Sequence, residues 1–259
     1  METLDAHVYD FPQYYDLLFG SDWRAEYDFL RAVFDRHGKG KVRRLFEPAC
    51  GTGRLLYRLG RTGCEVSGLD LNAKAVGYCN ERLARYGLPE SVFVGDMTDF
   101  RLPRKVDAAF NTINSFRHLL TEKQAEDHLR CMAECLRVGG IYVLGFHLTP
   151  TKGPITQEES WSARRGHLAV LSRMWTIEYD PKKRIERVKF DVDVYTPTKQ
   201  FRIEEEFQFR TYTAAQFARL LGKVPALRLV AVHDFKYDTD CAVEIDAQTE
   251  DVVYILRKE

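Results

Sequence analysis

The chain has 259 residues, 45% of them hydrophobic, enough for one large domain or a domain carrying an insertion. Its 38 Lys and Arg balance 38 Asp and Glu, so no basic field marks it as a binder of nucleic acid or of an anionic membrane. No run of about 18 apolar residues occurs, and the polar, acidic start Met1-Glu2-Thr3-Leu4-Asp5 leads us to expect a soluble, cytoplasmic protein.

Residues 8–34 are aromatic-rich, and Tyr27, Leu30 and Phe34 fall at helical steps, predicting an amphipathic helix against the core. Tyr14-Tyr15-Asp16 precedes Gly20-Ser21, a hinge suited to a lid. Lys41 to Phe46 reads as a buried strand, and Leu55, Leu56 and Leu59 lie at helical spacing. Between them Gly51 and Gly53 form a strand-to-helix turn whose exposed N–H groups favour a polar or anionic ligand group. A dinucleotide fingerprint needs a small third residue, but Leu56 stands there.

Cys64 to Leu71 is a second strand ending in Asp70, placed to accept both hydroxyls of a ribose. Asn72 is a plausible N-cap for a helix from Ala73 to Tyr86. A third strand, Ser91 to Met97, ends in Gly95-Asp96-Met97, where Asp96 can accept from an adenine amino group and Met97 offers the ring a soft face. Val106 to Asn111 is a fourth strand, with Asp107 read as a strand-start residue. The loop from Asn111 to Leu119 leaves the carboxyl end of that strand, where ligands of open parallel sheets sit. The helix Glu122 to Leu136 is expected to end in a glycine C-cap at Gly139-Gly140, before a fifth strand from Ile141 to His147.

Pro150, Gly153 and Pro154 then mark a break. Three β segments follow, at about 167–179, 185–195 and 201–210, and their alternation predicts an inserted antiparallel meander. Its Trp161, Trp175, Tyr179 and Tyr195 are candidates either for roofing an acceptor pocket or for a homodimer face. Thr213 to Leu221 resumes a helix, and Leu227 to Phe235 with Asp251 to Leu256 close the chain as a hairpin. The six cysteines show neither C-x-x-C pairs nor a histidine at metal spacing, so free thiols and no metal are expected.

The order Glu47…Gly51-Thr52-Gly53, Asp70, Gly95-Asp96-Met97 and Leu136-Arg137-Val138-Gly139-Gly140 resembles the class I S-adenosylmethionine (AdoMet) methyltransferases of small molecules. Asn114-Ser115-Phe116-Arg117-His118-Leu119, the Ala25-Glu26-Tyr27 helix and the meander look more closely like glycine N-methyltransferase and the amino-sugar N,N-dimethyltransferases. The resemblance implies an α/β, Rossmann-like, seven-stranded and mostly parallel sheet with helices on both faces. It divides the chain into an aromatic N-terminal cap (1–40), an AdoMet-binding domain (41–149 and 211–259) and the inserted antiparallel β-sheet (150–210). It further implies cofactor contacts from Tyr15, Arg24, Glu47, Ala49, Gly51, Thr52, Gly53, Asp70, Leu71, Asp96, Met97 and Asn111. Arg24 is to pair with the methionine carboxylate. Asn114 falls near the acceptor, and His147 replaces the arginine expected for a glycine carboxylate, which disfavours glycine as substrate.

Methyl transfer from a sulfonium is an in-line displacement that demands alignment and exclusion of water, and an amine acceptor need only be neutral. His118 and His147 are the candidate bases, with Tyr15 and Tyr212 as polar walls; each histidine equally suits a capping or satisfied partly buried role. The expected activity is therefore methylation of nitrogen or oxygen on a small molecule, amine favoured, without nucleic acid, membrane or metal. A protein methyltransferase, a non-catalytic AdoMet-binding protein and an NAD-dependent reductase are the competing readings.

Overall fold

The computed structural model describes residues 1–153, 155 and 158–259, so Pro154 of the expected break lies outside the described residues. In chain order the elements are β1 (Glu2–Asp5), a 3-10 turn (Val8–Asp10), α1 (Pro12–Gly20), α2 (Arg24–His37), β2 (Arg44–Pro48), α3 (Leu56–Gly60), β3 (Glu65–Asp70), α4 (Ala73–Arg85), β4 (Val92–Val94) and β5 (Val106–Asn111). A second 3-10 turn (Ser115–His118) leads to α5 (Glu122–Cys135), β6 (Leu136–His147), β7 (Glu158–Arg165), β8 (Leu168–Asp180), β9 (Ile185–Tyr195), β10 (Gln200–Arg210), α6 (Ala214–Gly222), β11 (Leu227–His233) and β12 (Asp251–Lys258).

Strands β2, β5 and β6 are almost wholly buried, as strands covered on both faces must be. They form the centre of a seven-stranded sheet in the order β11-β12-β6-β5-β2-β3-β4, parallel except that β12 runs antiparallel to both its neighbours. On one face Phe29 and Leu30 of α2, Leu59 of α3 and Leu83 of α4 pack against Leu45, Ala108 and Ile141. On the other, Leu129 of α5 and Phe217 of α6 pack against Phe46, Ala109 and Tyr142. Asn72 caps α4 as expected, its Oδ1 accepting from the N–H groups of Lys74 and Ala75. Strand order reverses between β2 and β5, and a crevice opens outside the carboxyl ends there.

The second sheet has the order β1-β10-β9-β8-β7, antiparallel except for the parallel pair β1 and β10. The three expected β segments are present, and two further strands join them. β7 is nearly all polar, with Trp161 and Ala163 as its apolar residues, so its alternation is faint in sequence. β1 carries one apolar residue, Leu4, and is a strand because tertiary pairing sets it against Phe201–Glu204. The expected glycine C-cap is a correction: α5 ends at Cys135, and Leu136 is already extended. Gly139 and Gly140 instead lie where the β5–β6 register shifts between the Val106↔Leu136 and Ala108↔Ile141 pairs.

The N-terminal segment ties the two sheets together. Val8, Leu17 and Leu18 pack on Val170, Phe190, Val192 and Ile203 of the second sheet. Buried Glu205 of β10 accepts from Val8 N–H at 2.9 Å and from His7 Nδ1 at 2.8 Å. Among the described residues no helix is long and apolar enough to cross a membrane.

Asp107 lies at the opposite end of the first sheet from the crevice. Its Oδ2 accepts from the N–H groups of Arg43 and Arg44 at 2.8 and 2.9 Å, and its Oδ1 from Arg137 Nε at 2.5 Å. Burial pushes this carboxyl up, but the backbone donors and Arg137 outweigh it and hold it below the usual range. Replacing Asp107 by Ala should cost about 2–4 kcal/mol at pH 7, because two backbone donors and a guanidinium lose their acceptor. Since the folded value is the lower one, this stability is present above the ordinary carboxylate pKa and lost as pH falls through the folded value. Urea denaturation should therefore show a smaller gap between Asp107→Ala and the natural protein at pH 3 than at pH 7; an equal gap would assign the loss to packing.

Candidate active site

The crevice is walled by α1, the loops after β3, β5 and β6, and the inner face of the second sheet into a partly open cavity of about 1120 Å3. That exceeds the usual roughly 300–1,000 Å3 of a pocket for one small ligand. Its floor is the glycine turn, where Ala49, Gly51 and Gly53 all have left-handed backbone, with φ of 51°, 51° and 64°. A Cβ on Gly53 would stand 2.3 Å from Cys79 Sγ of α4, so only glycine lets the turn sit this low. Asp70 at the end of β3 holds the turn in place. Its Oδ2 accepts from Gly51 N–H at 2.7 Å and its Oδ1 from Asn72 N–H at 2.9 Å. Burial raises the Asp70 carboxyl, with the two backbone donors opposing.

Beneath the turn, two buried acceptor atoms have no hydrogen-bond partner among the described residues: Glu47 Oε2 and Asn111 Oδ1. Burial pushes Glu47 well above the carboxylate range, with Arg54 opposing. Asn111 spends its Nδ2 on Pro48 O at 2.8 Å. Nearby, Arg54 Nη2 donates to Glu26 Oε1 at 2.7 Å; Thr112 Oγ1 donates to the same carboxylate, and Tyr237 Oη donates to Thr112 O at 3.3 Å. Glu26 and Tyr237 line the cavity, and Arg54 is nine-tenths buried behind them.

At the other end, Asn114 takes a left-handed backbone (φ 52°), and its Oδ1 accepts from His147 N–H at 2.9 Å, fixing the end of β6. His147 Nδ1 lies 2.7 Å from Asp251 Oδ1, and its Nε2 lies 3.9 Å from Glu159 Oε1. An ionised carboxylate can only accept, so His147 Nδ1 donates to Asp251. His118 is in a different state. Packed on Phe207 and Phe209 and 3.4 Å from Tyr9 Oη, it is pushed down to about 4, first by burial and then by neighbouring Arg117.

Of the residues singled out in sequence, Tyr15, Ala49, Gly51, Asp70, Leu71, Met97, Asn114, His118 and His147 line this one cavity. Gly53, Glu47 and Asn111 support it from below. Thr52 faces away, donating to Asp16 Oδ1 at 3.1 Å. Asp96 is also turned aside, its Oδ1 accepting from Thr98 N–H and Oγ1 at 2.8 Å in an exposed turn. Arg24 is a correction: it begins α2 on the outward side, stacks on Trp23 and lies 3.8 Å from Asp28, so its guanidinium does not reach the cavity. Tyr212 is another, being fully buried among Phe116, Phe146 and Phe217.

Trp161 reaches the cavity wall, whereas Trp175, Tyr179 and Tyr195 do not. Tyr9 and Phe19 of the aromatic N-terminal segment also line the cavity, and sequence reasoning missed Tyr237 and Asp251, which come from segments far along the chain. It also missed His128, whose Nδ1 donates to Met97 O at 2.9 Å while Nε2 accepts from Tyr142 Oη at 2.8 Å, pinning the loop that carries Met97. Its position among the apolar residues Ala125, Leu129 and Met132 of α5 was the available signal.

Residues 46–140 match the family model of a methyltransferase domain. The chain is 30% identical over 155 residues to the dTDP-3-amino-3,4,6-trideoxy-alpha-D-glucopyranose N,N-dimethyltransferase of Streptomyces venezuelae, covering 59% of this chain and 62% of that protein. It is 32% identical over 134 residues to the dTDP-3-amino-3,6-dideoxy-alpha-D-glucopyranose N,N-dimethyltransferase of Streptomyces fradiae, covering 50% of each. The chain thus spans less than two thirds of the length of these curated relatives. A crystal structure of an S-adenosylmethionine-dependent methyltransferase from Clostridium acetobutylicum superposes with a TM-score of 0.78 at 17% identity, covering 96% of this chain and 97% of that one. Residues 46–140 are therefore a methyltransferase domain. The architecture around them is that of the class I AdoMet-dependent methyltransferases, with a second, antiparallel sheet.

The folded His118 pKa of about 4 lies below the ordinary 6.5, so the imidazole should stay neutral throughout the physiological range. Proton NMR of its ring should show no titration step between about pH 5.5 and 8. Below 6.5 the unfolded chain takes up a proton that the folded site refuses, so this residue makes stability fall as pH drops from 6.5 toward 4. A ring that titrates near 6.5 would mean that the site is open to water.

Proposed function

We propose that this chain transfers a methyl group from AdoMet to the nitrogen of a small-molecule amine. One observation carries the reading: a single cavity joins the glycine turn and Asp70 at one end to the His147–Asp251 pair at the other. Two ligands can therefore meet inside it. The residues at the first end fit AdoMet. Asp70 would accept the ribose hydroxyls, and Leu71 and Met97 would flank the adenine. Glu47 Oε2 and Asn111 Oδ1, buried without donors, suit the ammonium of the amino-acid portion. The buried Arg54–Glu26 pair, rather than Arg24, supplies the charges that could bracket that zwitterion, with Tyr15 closing over it.

AdoMet brings the activated methyl, so the protein's tasks are alignment, dehydration and keeping the acceptor nitrogen unprotonated. The aromatic N-terminal segment and second sheet wall the cavity and would limit the access of water to bound ligands. In this reading His147 Nε2 would take the proton from an ammonium, with Asp251 hydrogen-bonded to Nδ1 and Glu159 3.9 Å from Nε2. His118, held neutral, is a positioning wall. The likeness to amino-sugar N,N-dimethyltransferases supports nitrogen over oxygen as the acceptor atom.

Calorimetric titration with S-adenosylhomocysteine tests the cofactor half. Micromolar binding is expected. Asp70→Ala should weaken it by about 2–4 kcal/mol, a tens- to several-hundred-fold loss, while Arg24→Ala should leave it within about two-fold. Absence of binding by the natural protein would overturn the reading.

A further inference from the structure

The acceptor half of the cavity has a one-sided charge. Among the described residues, no lysine or arginine lines the cavity, whereas Glu159, Glu250 and Asp251 do. Its basic side chains are all histidines: His7 is held by Glu205, His118 is buried and neutral, and His147 is bound to Asp251. Arg117 stands behind Phe209, outside the lining, and is ion-paired with Glu186. The carboxylates also sit beside an aromatic wall. Glu159 and Trp161 are two apart on β7, so they share a face, and the Trp161 ring stacks on Phe190 at 5.9 Å. Phe207 and Phe209 continue that wall at 5.0 Å from each other, and Phe235 lies 5.0 Å from the His147 ring.

Aromatic faces with carboxylates at one rim bind organic cations, because the ring quadrupoles and the anions attract the same charge. Phosphates need the opposite, arginine forks, lysines or a free helix N-terminus. Taking the methyltransferase reading of this cavity as given, we infer that its acceptor is an organic ammonium with an apolar or uncharged body and no phosphate. It would enter with its charge against Glu159 and Asp251 and its body against Trp161, Phe190 and Phe207. The acceptor class then differs from the dTDP-linked amino sugars named for the two relatives, since a nucleoside diphosphate would face carboxylates here.

The test uses the intact chain saturated with S-adenosylhomocysteine, so that failure of the cofactor reading appears first, as no complex to titrate. Into that complex choline, its neutral isostere 3,3-dimethylbutan-1-ol, and thymidine diphosphate are titrated separately by calorimetry. Choline should bind at least about ten-fold more tightly than the alcohol, and thymidine diphosphate should not bind. The double variant Glu159→Gln/Asp251→Asn, with S-adenosylhomocysteine binding checked as its measure of folding, should erase most of the choline preference. Equal affinity for choline and the alcohol, no choline binding, an undiminished preference in a folded variant, or binding of thymidine diphosphate would each overturn the proposal.

Discussion

The carboxylate of Asp70 is the constraint on which the site depends. By accepting from Gly51 and Asn72 it ties the end of β3 to the glycine turn after β2 and to the start of α4. The turn has to be low for this to happen, and it is low because Gly53 leaves room for Cys79. The same side chain that would receive a ribose thus holds the floor on which the ribose would rest. The cost is a carboxylate kept partly dehydrated, which is why its pKa rises despite two backbone donors.

A second buried acid couples this floor to the roof. Asp16 on α1 accepts from Thr52 of the glycine turn and pairs with Arg82 of α4 at 2.5 Å. From there α1 continues into the aromatic cluster against the second sheet. The N-terminal segment is therefore bonded to both walls of the cavity. Charges buried in this way are costly unless paired, and both Asp16 and Glu26 have their arginines.

The two histidines at the acceptor end show how surroundings divide identical side chains. His118 is packed between aromatic rings beside an arginine and stays neutral. His147 lies at the rim with a carboxylate on each side of its ring, Asp251 at Nδ1 and Glu159 3.9 Å from Nε2. Asn114 differs from both: its side-chain oxygen accepts from the His147 N–H and fixes the end of β6.

Local spacing was enough to show the parallel sheet, the glycine turn, Asp70, the Asn72 cap and the loop from Asn111 to Leu119, because each depends on neighbours within a few residues. Leu56, fully buried on α3, likewise spoke against a dinucleotide from its place in the turn. What tertiary structure alone decided was everything that depends on distant segments meeting. β1 is a strand only beside β10, Asp251 reaches His147 only because β12 pairs with β6, and Arg54 rather than Arg24 lies buried behind the cavity wall, paired with Glu26, while Arg24 starts α2 on the exposed side. The charge of the acceptor end is of the same kind. A chain with no net charge lines that end with carboxylates and no lysine or arginine among the described residues, a sorting that only folding performs.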